Sequence, residues 1–386
     1  MNMDDRSADV DKDSKSARIV DYVGPGSLEL RTIPLPMPGP DDMLLNVSLC
    51  GVDGSEIHMF RGEIGWVNDL APMTFGDEIL GTVADIGPNA AAQRGLKVGD
   101  RVVLEAKWRC GECPPCRAGQ YYLCDTYGLI SGYGATSSAE PPHLWGGYAS
   151  HVFVPKEALV YPVPAELDDR TALVGCSPLA NGIRWVTEAG LKRGDHVAII
   201  GPGPQGLCCA LVAMAQGATV TIFGLPSDDS RLEMARSLGV ARAIAIQSDD
   251  SPKDIAQQVI GESGPAQMVI DLAGVPSAKH LGLHLLAKMG TFVNVALSTP
   301  ASQPVDWIDL LAREIRIVSF ASHPNYVQAG LEMALDLKHR GIDIGEWITH
   351  VYALEDVDTA LAAAAHELET HPIKVALDPR LPGAAT

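Results

Sequence analysis

The sequence predicts an α/β protein whose second half forms a doubly wound parallel sheet. From about Thr171, short apolar segments alternate with helical stretches, which is typical of strands joined by helical crossovers. A glycine-rich turn, Gly201–Gly206, lies between an apolar segment and an apolar helix. Before about Pro155, short apolar segments are separated by Gly, Pro and Asp turns without any long helical period, which indicates β structure.

The composition restricts the class of protein. A chain of 386 residues favours two or three domains, and 46% hydrophobic with 20% charged residues is typical of a globular protein. A net charge of -19 argues against nucleic acid or an anionic membrane as partner. Because residues 1–16 are polar and no apolar run could cross a bilayer, we expect a disordered leader, no membrane association and a cytoplasmic location.

The strands of the first half are predicted where apolar segments end in turn residues. The predicted strands are Met43–Leu49, Gly81–Ile86, Arg101–Leu104 and Tyr148–Val154.

Strands and helices of the second half are predicted from their alternation. The predicted strands are Val197–Ile200, Thr219–Phe223, Ala243–Ile246, Met268–Asp271, Thr291–Ala296 and Ile315–Phe320. The predicted helices between them are Leu207–Gln216, Ser230–Ser237, Pro252–Gly261 and Ser277–Lys288. The predicted tail, which we return to the first domain, consists of the helices Val327–Arg340 and Leu354–Ala364 and the strand Ile373–Leu377.

The glycine-rich turn is predicted to bind a dinucleotide. A GxGxxG pattern alone is weak, but here it follows a strand, opens a helix and precedes a second strand. Glycines permit the tight turn and close backbone approach, so that the helix N-terminus faces the pyrophosphate. The predicted cofactor-binding residues of the turn are Gly201, Gly203, Pro204, Gln205 and Gly206.

The choice between NAD and NADP stays open in the sequence. A carboxylate that binds the ribose of NAD is expected about 20 residues past the turn, and that position falls on Gly224. Its absence permits NADP, with Arg231 or Ser227 facing the 2′-phosphate. Asp228 and Asp229 carry negative charge in the same loop, which would repel a phosphate or bind a ribose.

Four cysteines predict a structural zinc site. Cys110, Cys113, Cys116 and Cys124 have the spacing C-x2-C-x2-C-x7-C. Four thiolates so close in sequence suit tetrahedral Zn²⁺ with no open coordination position. Disulfide bonds are disfavoured because the chain shows no export signal.

The order of motifs resembles the zinc-dependent medium-chain alcohol dehydrogenase/reductase family from about Ile19 to Pro379. The resemblance implies a GroES-like β-barrel catalytic domain, residues 17–186 and 325–386, and a Rossmann nucleotide-binding domain, residues 187–324. It also implies an active site between them, a small alcohol or carbonyl substrate, and a homodimer or homotetramer. The motifs are GVDGSEIH, GDE, the cysteine lobe, PPHLWGGYA, GCSPLANG, the glycine turn and PIKVALDP.

Two of the family's three usual ligands of a catalytic zinc are changed in this chain. Asp53 stands where the family has Cys, and Asp77 stands where the motif GHE has His. The third position falls on Cys176, and Glu78 could also approach a metal. A shell of Asp53, Asp77 and Cys176 would weaken the metal as a Lewis acid and relax the preference for zinc.

Three interpretations of this change remain open. The first is a metal-retaining alcohol dehydrogenase or ketone reductase. The second is a metal-free reductase of C=C, C=N or C=O bonds in which Asp53 or Asp77 donates a proton, because two neighbouring carboxylates do not both ionise readily. The third is a protein that has lost catalysis.

Two further residues favour alcohol or carbonyl chemistry. Ser55 and His58 fall on the family's proton-relay positions, where a hydroxyl passes the alcohol proton through the nicotinamide ribose to an imidazole. Glu56 and Glu78 fall on family positions for acids that orient the site. At the mouth of the expected cleft, the side chains that either line a pocket or only pack a loop are Trp66, His143 and Trp145.

Overall fold

The computed structural model describes residues 16–128, 131–298 and 301–383. Almost all of the predicted leader, residues 1–16, lies outside these ranges. No described helix combines the length and apolar character needed to span a membrane.

The first part of the chain is built mainly of strands. The strands are β1 (Ser16–Gly24), β2 (Ser27–Pro34), β3 (Met43–Val52), β4 (Met73–Thr74), β5 (Ile79–Ile86), β6 (Arg101–Leu104), β7 (His151–Val154) and β8 (Val160–Pro162). The helices are α1 (Gly54–Phe60), α2 (Gly65–Leu70), α3 (Pro88–Arg94), α4 (Pro114–Arg117), α5 (Asp169–Val174) and α6 (Ala180–Glu188), with a π-helical turn at Gly175–Leu179.

Strands and helices then alternate. The strands are β9 (His196–Ile200), β10 (Thr219–Gly224), β11 (Arg242–Ala245), β12 (Ala266–Asp271), β13 (Leu286–Asn294) and β14 (Arg316–Ser319). The helices are α7 (Pro204–Ala215), α8 (Asp229–Ser237), α9 (Pro252–Ser263), α10 (Pro276–Leu285) and α11 (Trp307–Arg313). The tail contains α12 (Val327–His339), β15 (Ile348–Tyr352), α13 (Val357–Ala364) and β16 (Lys374–Leu377).

The sheets confirm the predicted α/β class with its Rossmann-type sheet. A six-stranded sheet has the order β11-β10-β9-β12-β13-β14, and every neighbouring pair is parallel. Its order reverses between β9 and β12, where open α/β sheets bind ligands. A seven-stranded sheet includes β15, β16, β3, β5, β6 and β8, with β7 on β3, and a three-stranded sheet has the order β2-β1-β4.

Each predicted strand of the second half overlaps an observed one, but the predictions around α10, β13 and α11 need correction. The helix predicted over Ser277–Lys288 ends at Leu285, because β13 begins at Leu286. Helix α11 was not predicted, since its apolar residues Trp307, Ile308 and Leu311 are exposed and follow no buried period.

The first half also contains short helices that the turn-rich sequence did not indicate. Helices α1 to α4 have seven residues or fewer, which is too short to show a helical period. Their starts depend on local features instead: Asp53 caps α1, and Pro88 and Pro114 occupy first-turn positions in α3 and α4.

Candidate active site

Asp53 lies where β3 ends and α1 begins, and its carboxylate caps the helix. Its Oδ1 accepts hydrogen bonds from the backbone N–H groups of Ser55 (2.8 Å) and Glu56 (3.1 Å). The Ser55 hydroxyl donates to the same oxygen at 2.6 Å. The capping sequence Asp-x-x-Glu therefore aligns the predicted proton-relay serine with a carboxylate acceptor.

Glu56 closes this cap from the other side and is buried. Its Oε2 accepts a hydrogen bond from the backbone N–H of Asp53 at 3.0 Å and another from the Tyr148 hydroxyl at 2.6 Å. Burial, together with the charges of Asp53 and Asp77, raises the pKa of Glu56 well above its ordinary value.

Glu78 is paired with a buried lysine from the far end of the chain. Lys374, the first residue of β16, places its Nζ 2.5 Å from Oε2 of Glu78, and both side chains are 2% exposed. The Ser177 hydroxyl donates to Oε1 of Glu78 at 3.0 Å. Burial lowers the pKa of Lys374, but the Glu78 carboxylate outweighs it and the net pKa is raised.

Asp77 lies among these acids. Burial is the main cause that raises the pKa of Asp77 to about 8, and the negative charges of Asp53 and Glu78 raise it further. The positive charges of Lys107 and Lys374 act in the opposite direction. Asp53, Glu56, Asp77 and Glu78 thus form one electrostatically coupled group, which we call the acid cluster.

Cys176 lies beside the acid cluster in the π-helical turn. Pro178 stands inside this turn and has no N–H to donate, which favours a local widening of the helix. The Cys176 thiol donates to the carbonyl of Leu173 at 3.3 Å. Burial and the charge of Glu78 raise the pKa of Cys176 well above its ordinary value.

The residues that would form a catalytic metal shell do not converge in this structure. Among the described residues, none of Asp53, Asp77, Glu78 and Cys176 belongs to a group of three or more ligand atoms within 4.8 Å of one another. Asp53, Glu78 and Cys176 each have a protein partner instead: the N-terminus of α1, Lys374 and the Leu173 carbonyl. As arranged, this donor set does not fit a metal ion.

The four cysteines of the lobe, in contrast, are arranged to bind a metal ion. Their sulfur atoms lie within 4.8 Å of one another, and the Cys110–Cys116 and Cys113–Cys124 pairs are each 3.9 Å apart. A tetrahedral site with Zn–S bonds of about 2.3 Å has sulfur atoms about 3.8 Å apart. Zinc bound there would hold the lobe together without an open position for substrate.

His58 is held by an acid that the sequence did not single out. Its Nδ1 lies 2.6 Å from Oε2 of Glu63, and both side chains are partly exposed. The Ser55 hydroxyl bonds to Asp53, so the two relay residues do not contact each other directly in this structure.

The glycine turn has the shape of a pyrophosphate cradle at the start of α7. A Cβ at Gly206 would lie 2.0 Å from the carbonyl oxygen of Gly201, so that only glycine fits, and Gly201 has φ of 111°. A Cβ at Gly203 would meet nothing within 4 Å, which leaves room for a ligand. Pro204 begins the helix, and Oε1 of Gln205 is buried without a protein partner.

A pocket of about 280 Å³ adjoins this turn at the ends of β9 and β10, and Gly201 and Gly224 contribute to its wall. A Cβ at Gly224 would lie 2.6 Å from Pro202, so no carboxylate can stand at the predicted position. Asp228 lines the same pocket and supplies a carboxylate four residues later. We call this pocket the ribose pocket, after the cofactor group that the sequence predicts to bind there.

Arg231 does not line the ribose pocket. Its guanidinium donates to Asp228 at 3.2 Å and to the main-chain carbonyls of Pro372 and Ile373 at 3.1 and 3.3 Å. The side chain predicted for a 2′-phosphate is therefore engaged by the tail of the chain.

Two family models match the chain. Residues 39–165 match the alcohol dehydrogenase GroES-like domain and residues 204–336 the zinc-binding dehydrogenase domain. A sorbitol dehydrogenase of Halalkalibacterium halodurans is 32% identical over 92% of this chain and 97% of its own length. The chain belongs to the zinc-dependent medium-chain alcohol dehydrogenase family.

Other relatives agree with this assignment. A Mycobacterium tuberculosis protein assigned as an alcohol dehydrogenase is 36% identical over 73% of this chain and 76% of its own length. A Sinorhizobium meliloti protein, assigned as a zinc-binding dehydrogenase and solved with NADP, superposes with a TM-score of 0.79 at 25% identity, over 95% of this chain and all of that chain. This family member is accordingly an oxidoreductase that uses NAD(P) and zinc.

In this dehydrogenase the aromatic residues near the predicted cleft behave differently from one another. Trp145 is 7% exposed, donates its Nε1–H to the carbonyl of Glu140, and packs edge-on against Trp108 and Phe153. Trp66 is 36% exposed on α2. His143 has φ of 73° and its Nδ1 lies 2.8 Å from the carbonyl of Ser138. Trp145 and His143 thus pack the loop.

Several site residues were missed from the sequence. Lys374 carried a signal, because a lysine stands inside the otherwise apolar strand Ile373–Leu377, and a buried lysine requires a partner. The sequence contained no such signal for three other site residues, Ser177, Tyr148 and Glu63, because their roles depend on distances between separate segments.

Proposed function

We propose that this protein transfers hydride between NAD(P) and a small alcohol or carbonyl substrate at the acid cluster. The polyol-related names of curated relatives, sorbitol dehydrogenase and D-arabitol-phosphate dehydrogenase, favour a polyol or its ketose as the substrate class. The 2.6 Å hydrogen bond from Ser55 to Asp53 carries the proposal, because it gives a hydroxyl a carboxylate that can take its proton.

The chain's own residues would move the proton while the nicotinamide accepts or donates the hydride. Ser55 would take the proton of a substrate alcohol and pass its own to Asp53, and His58 is the second candidate acceptor. Glu63 would hold the His58 imidazole in place through the contact of its Oε2 with Nδ1. The π-helical turn that carries Ser177 packs on α7, so that Glu78 lies close to the helix that begins at the glycine turn.

The geometry favours the metal-free form of this reaction. The candidate ligands do not converge, and a lysine ammonium already neutralises Glu78. In this form Asp53 or Asp77 supplies the proton when a carbonyl is reduced. One observation supports the metal-retaining form with Asp53, Asp77, Glu78 and Cys176 as its candidate shell: Asp53 and Glu78 repel the ionised form of Asp77, and a cation would relieve that repulsion.

Metal content and turnover distinguish the two forms. Protein purified without chelator is analysed for metal and assayed with polyols, secondary alcohols, ketones and enones. One metal per chain with full activity supports the metal-free form, because the lobe accounts for that metal, whereas two metals per chain support the metal-retaining form.

Ser55→Ala is expected to lower kcat by about 10²-fold, whereas Ser237→Ala, on the exposed face of α8, serves as the matched control. Cofactor binding without turnover of any substrate would instead support a non-catalytic protein.

We further infer a preference for NAD over NADP. Asp228 lines the ribose pocket, and Arg231 is bound to Asp228 and the tail. A carboxylate at this place binds ribose hydroxyls and repels a phosphate. Asp228→Asn should reduce the ratio of kcat/KM for NAD to that for NADP at least 10-fold, and Asp229→Asn, on the exposed face of α8, should not. An unchanged ratio in Asp228→Asn would contradict the inference.

We also propose that two copies associate through the edge of the six-stranded sheet. Strand β14 ends this sheet, and Trp307, Ile308 and Leu311 of the neighbouring α11 are 71%, 80% and 79% exposed. An unpaired edge beside an apolar helix face can pair with its own copy about a two-fold axis. A cytoplasmic location remains a prediction, which cell fractionation would test.

A further inference from the structure

Arg231 lies at the junction of two parts of the structure that the reaction needs. It is in the first turns of α8, directly after the loop that closes the ribose pocket. Its guanidinium binds Asp228 on one side and the carbonyls of Pro372 and Ile373 on the other. Burial lowers the pKa of Arg231, and the carboxylate of Asp228 acts against this effect. The side chain is 14% exposed, as is that of Asp228.

On the ribose side, the contact extends to the pocket wall. Oδ1 of Asp228 accepts a hydrogen bond from the Arg231 guanidinium, and Oδ2 accepts one from the backbone N–H of Leu225 at 2.9 Å. Leu225 and Asp228 both line the ribose pocket. Arg231 therefore helps to orient the Asp228 carboxylate, and a ligand that binds this carboxylate also affects its contact with Arg231.

On the tail side, Arg231 binds the main chain one residue before Lys374, which contacts the acid cluster. Ile373 immediately precedes Lys374, whose Nζ lies 2.5 Å from Glu78 and 3.4 Å from the carbonyl of Val52. A second link runs parallel, because the Ser230 hydroxyl donates to the carbonyl of His371 at 3.3 Å. The start of α8 and the residues before β16 are thus joined by several hydrogen bonds.

We propose that Arg231 is a positioning residue that couples occupation of the ribose pocket to the placement of Lys374 beside Glu78. The planar guanidinium binds three acceptors in a fixed geometry, so it transmits a change in Asp228 to the main chain before Lys374. Bound cofactor then holds the Lys374 ammonium in the acid cluster during turnover. This inference rests on the proposed function, because it takes the acid cluster as the place of reaction.

Coupling between two sites is reciprocal and can be measured without a known substrate. We would follow hydrogen exchange of the backbone amides of residues 373–377 with and without saturating NADH or NADPH, whichever binds more tightly by fluorescence. Wild type, Arg231→Gln, Arg231→Lys and Arg236→Gln would be compared. Arg236 serves as the matched control, since it lies on the same helix, is exposed and pairs only locally with Glu233 and the carbonyl of Ala243.

We expect cofactor to slow exchange of these amides at least 5-fold in wild type and in Arg236→Gln, and less than 1.5-fold in Arg231→Gln. Arg231→Lys retains the positive charge but lacks the planar guanidinium, so it should recover part of the cofactor-dependent slowing of exchange. At saturating cofactor, kcat of Arg231→Gln should fall about 10-fold, so that a higher KM alone does not explain the loss. Arg231→Lys also keeps the pair with Asp228, and it tests the inference if Arg231→Gln does not fold.

Equal cofactor-dependent protection in wild type and both Arg231 variants would overturn the inference and leave the proposed function intact. Loss of protection in Arg236→Gln as well would also overturn it, because the effect would then be general to α8. Wild-type protein that binds neither reduced cofactor would instead contradict the proposed function itself.

Discussion

At the scale of single residues, the acid cluster brings four carboxyl groups and one ammonium into a poorly solvated place. Glu78 forms an ion pair with Lys374, whereas burial and two neighbouring carboxylates raise the pKa of Asp77 to about 8. Neighbouring carboxylates in such a place do not all ionise readily, and Asp77 with its raised pKa retains a proton at neutral pH. A protonated acid at this place can donate to a substrate oxygen.

The raised pKa of Asp77 predicts how stability depends on pH. Between about pH 4 and the folded pKa of about 8, Asp77 is protonated in the folded chain and ionised in the unfolded chain. Folding takes up a proton, so the free energy of unfolding falls as pH rises, by up to about 1.4 kcal/mol per pH unit from this group. Asp77→Asn should reduce that slope in urea melts at several pH values.

The same melts report on a bound cation. A cation on Asp77 would favour its ionised form, so wild type and Asp77→Asn would then share the same slope between about pH 5 and 7. Asp229→Asn, exposed on α8, is the control and should leave the slope unchanged.

At the scale of elements, the end of β3 has no room for a side chain where the acid cluster begins. A Cβ at Gly51 would lie 1.8 Å from Oε2 of Glu78, the oxygen that meets Lys374. Two buried partners, Lys374 and Ser177, hold Glu78 in this position. The absence of a side chain at Gly51 of β3 therefore lets the carboxylate of Glu78, which directly precedes β5, lie against this strand.

Gly51→Ala is expected to displace Glu78 from Lys374 and to destabilise the protein by about 1–3 kcal/mol, the usual cost of overpacking. Chemical denaturation measures the change. Gly261→Ala, at an exposed position of α9 with nothing within 4 Å of its added Cβ, should be neutral or stabilising by up to about 1 kcal/mol. Equal stability of wild type and Gly51→Ala would show that Glu78 can move without cost.

Elements with strong local signals could be predicted, and those made by distant contacts could not. The glycine turn combines a strand, a helix start and conformational requirements within a few residues, so its place in the fold could be predicted. The sequence showed Asp53 and Asp77 as departures from a family pattern. It did not show that Asp53 caps the N-terminus of α1. The pair of Lys374 with Glu78 joins residues at opposite ends of the sequence, and no local pattern contains that distance.

At the scale of the whole molecule, the six-stranded sheet has one edge where an apolar surface is exposed. The side chains of Trp307, Ile308, Leu311 and, on β14 itself, Ile317 contribute to it. Solvent contact with such a surface is unfavourable and promotes association. We therefore expect a dimer as the smallest stable assembly.

Ile308→Glu should weaken this association by placing a charge on the apolar face, and light scattering after size exclusion would detect a shift to monomer at micromolar concentration. Met37→Glu alters an equally exposed apolar residue, 84% accessible, before β3, and should leave the mass unchanged. A wild-type monomer, or an Ile308→Glu protein with the wild-type mass, would contradict the expected interface.

Strand β16 inserts between β15 and β3, so the sheet that contains β3 and β5 is completed only after all six strands of the parallel sheet have been made. The six parallel strands are contiguous in the chain and can assemble in the meantime. During synthesis, therefore, the edge of β3 lacks β16 and the carboxylate of Glu78 lacks Lys374 until the ribosome has passed Leu377, and a product truncated before Lys374 would present that open edge to chaperones and proteases.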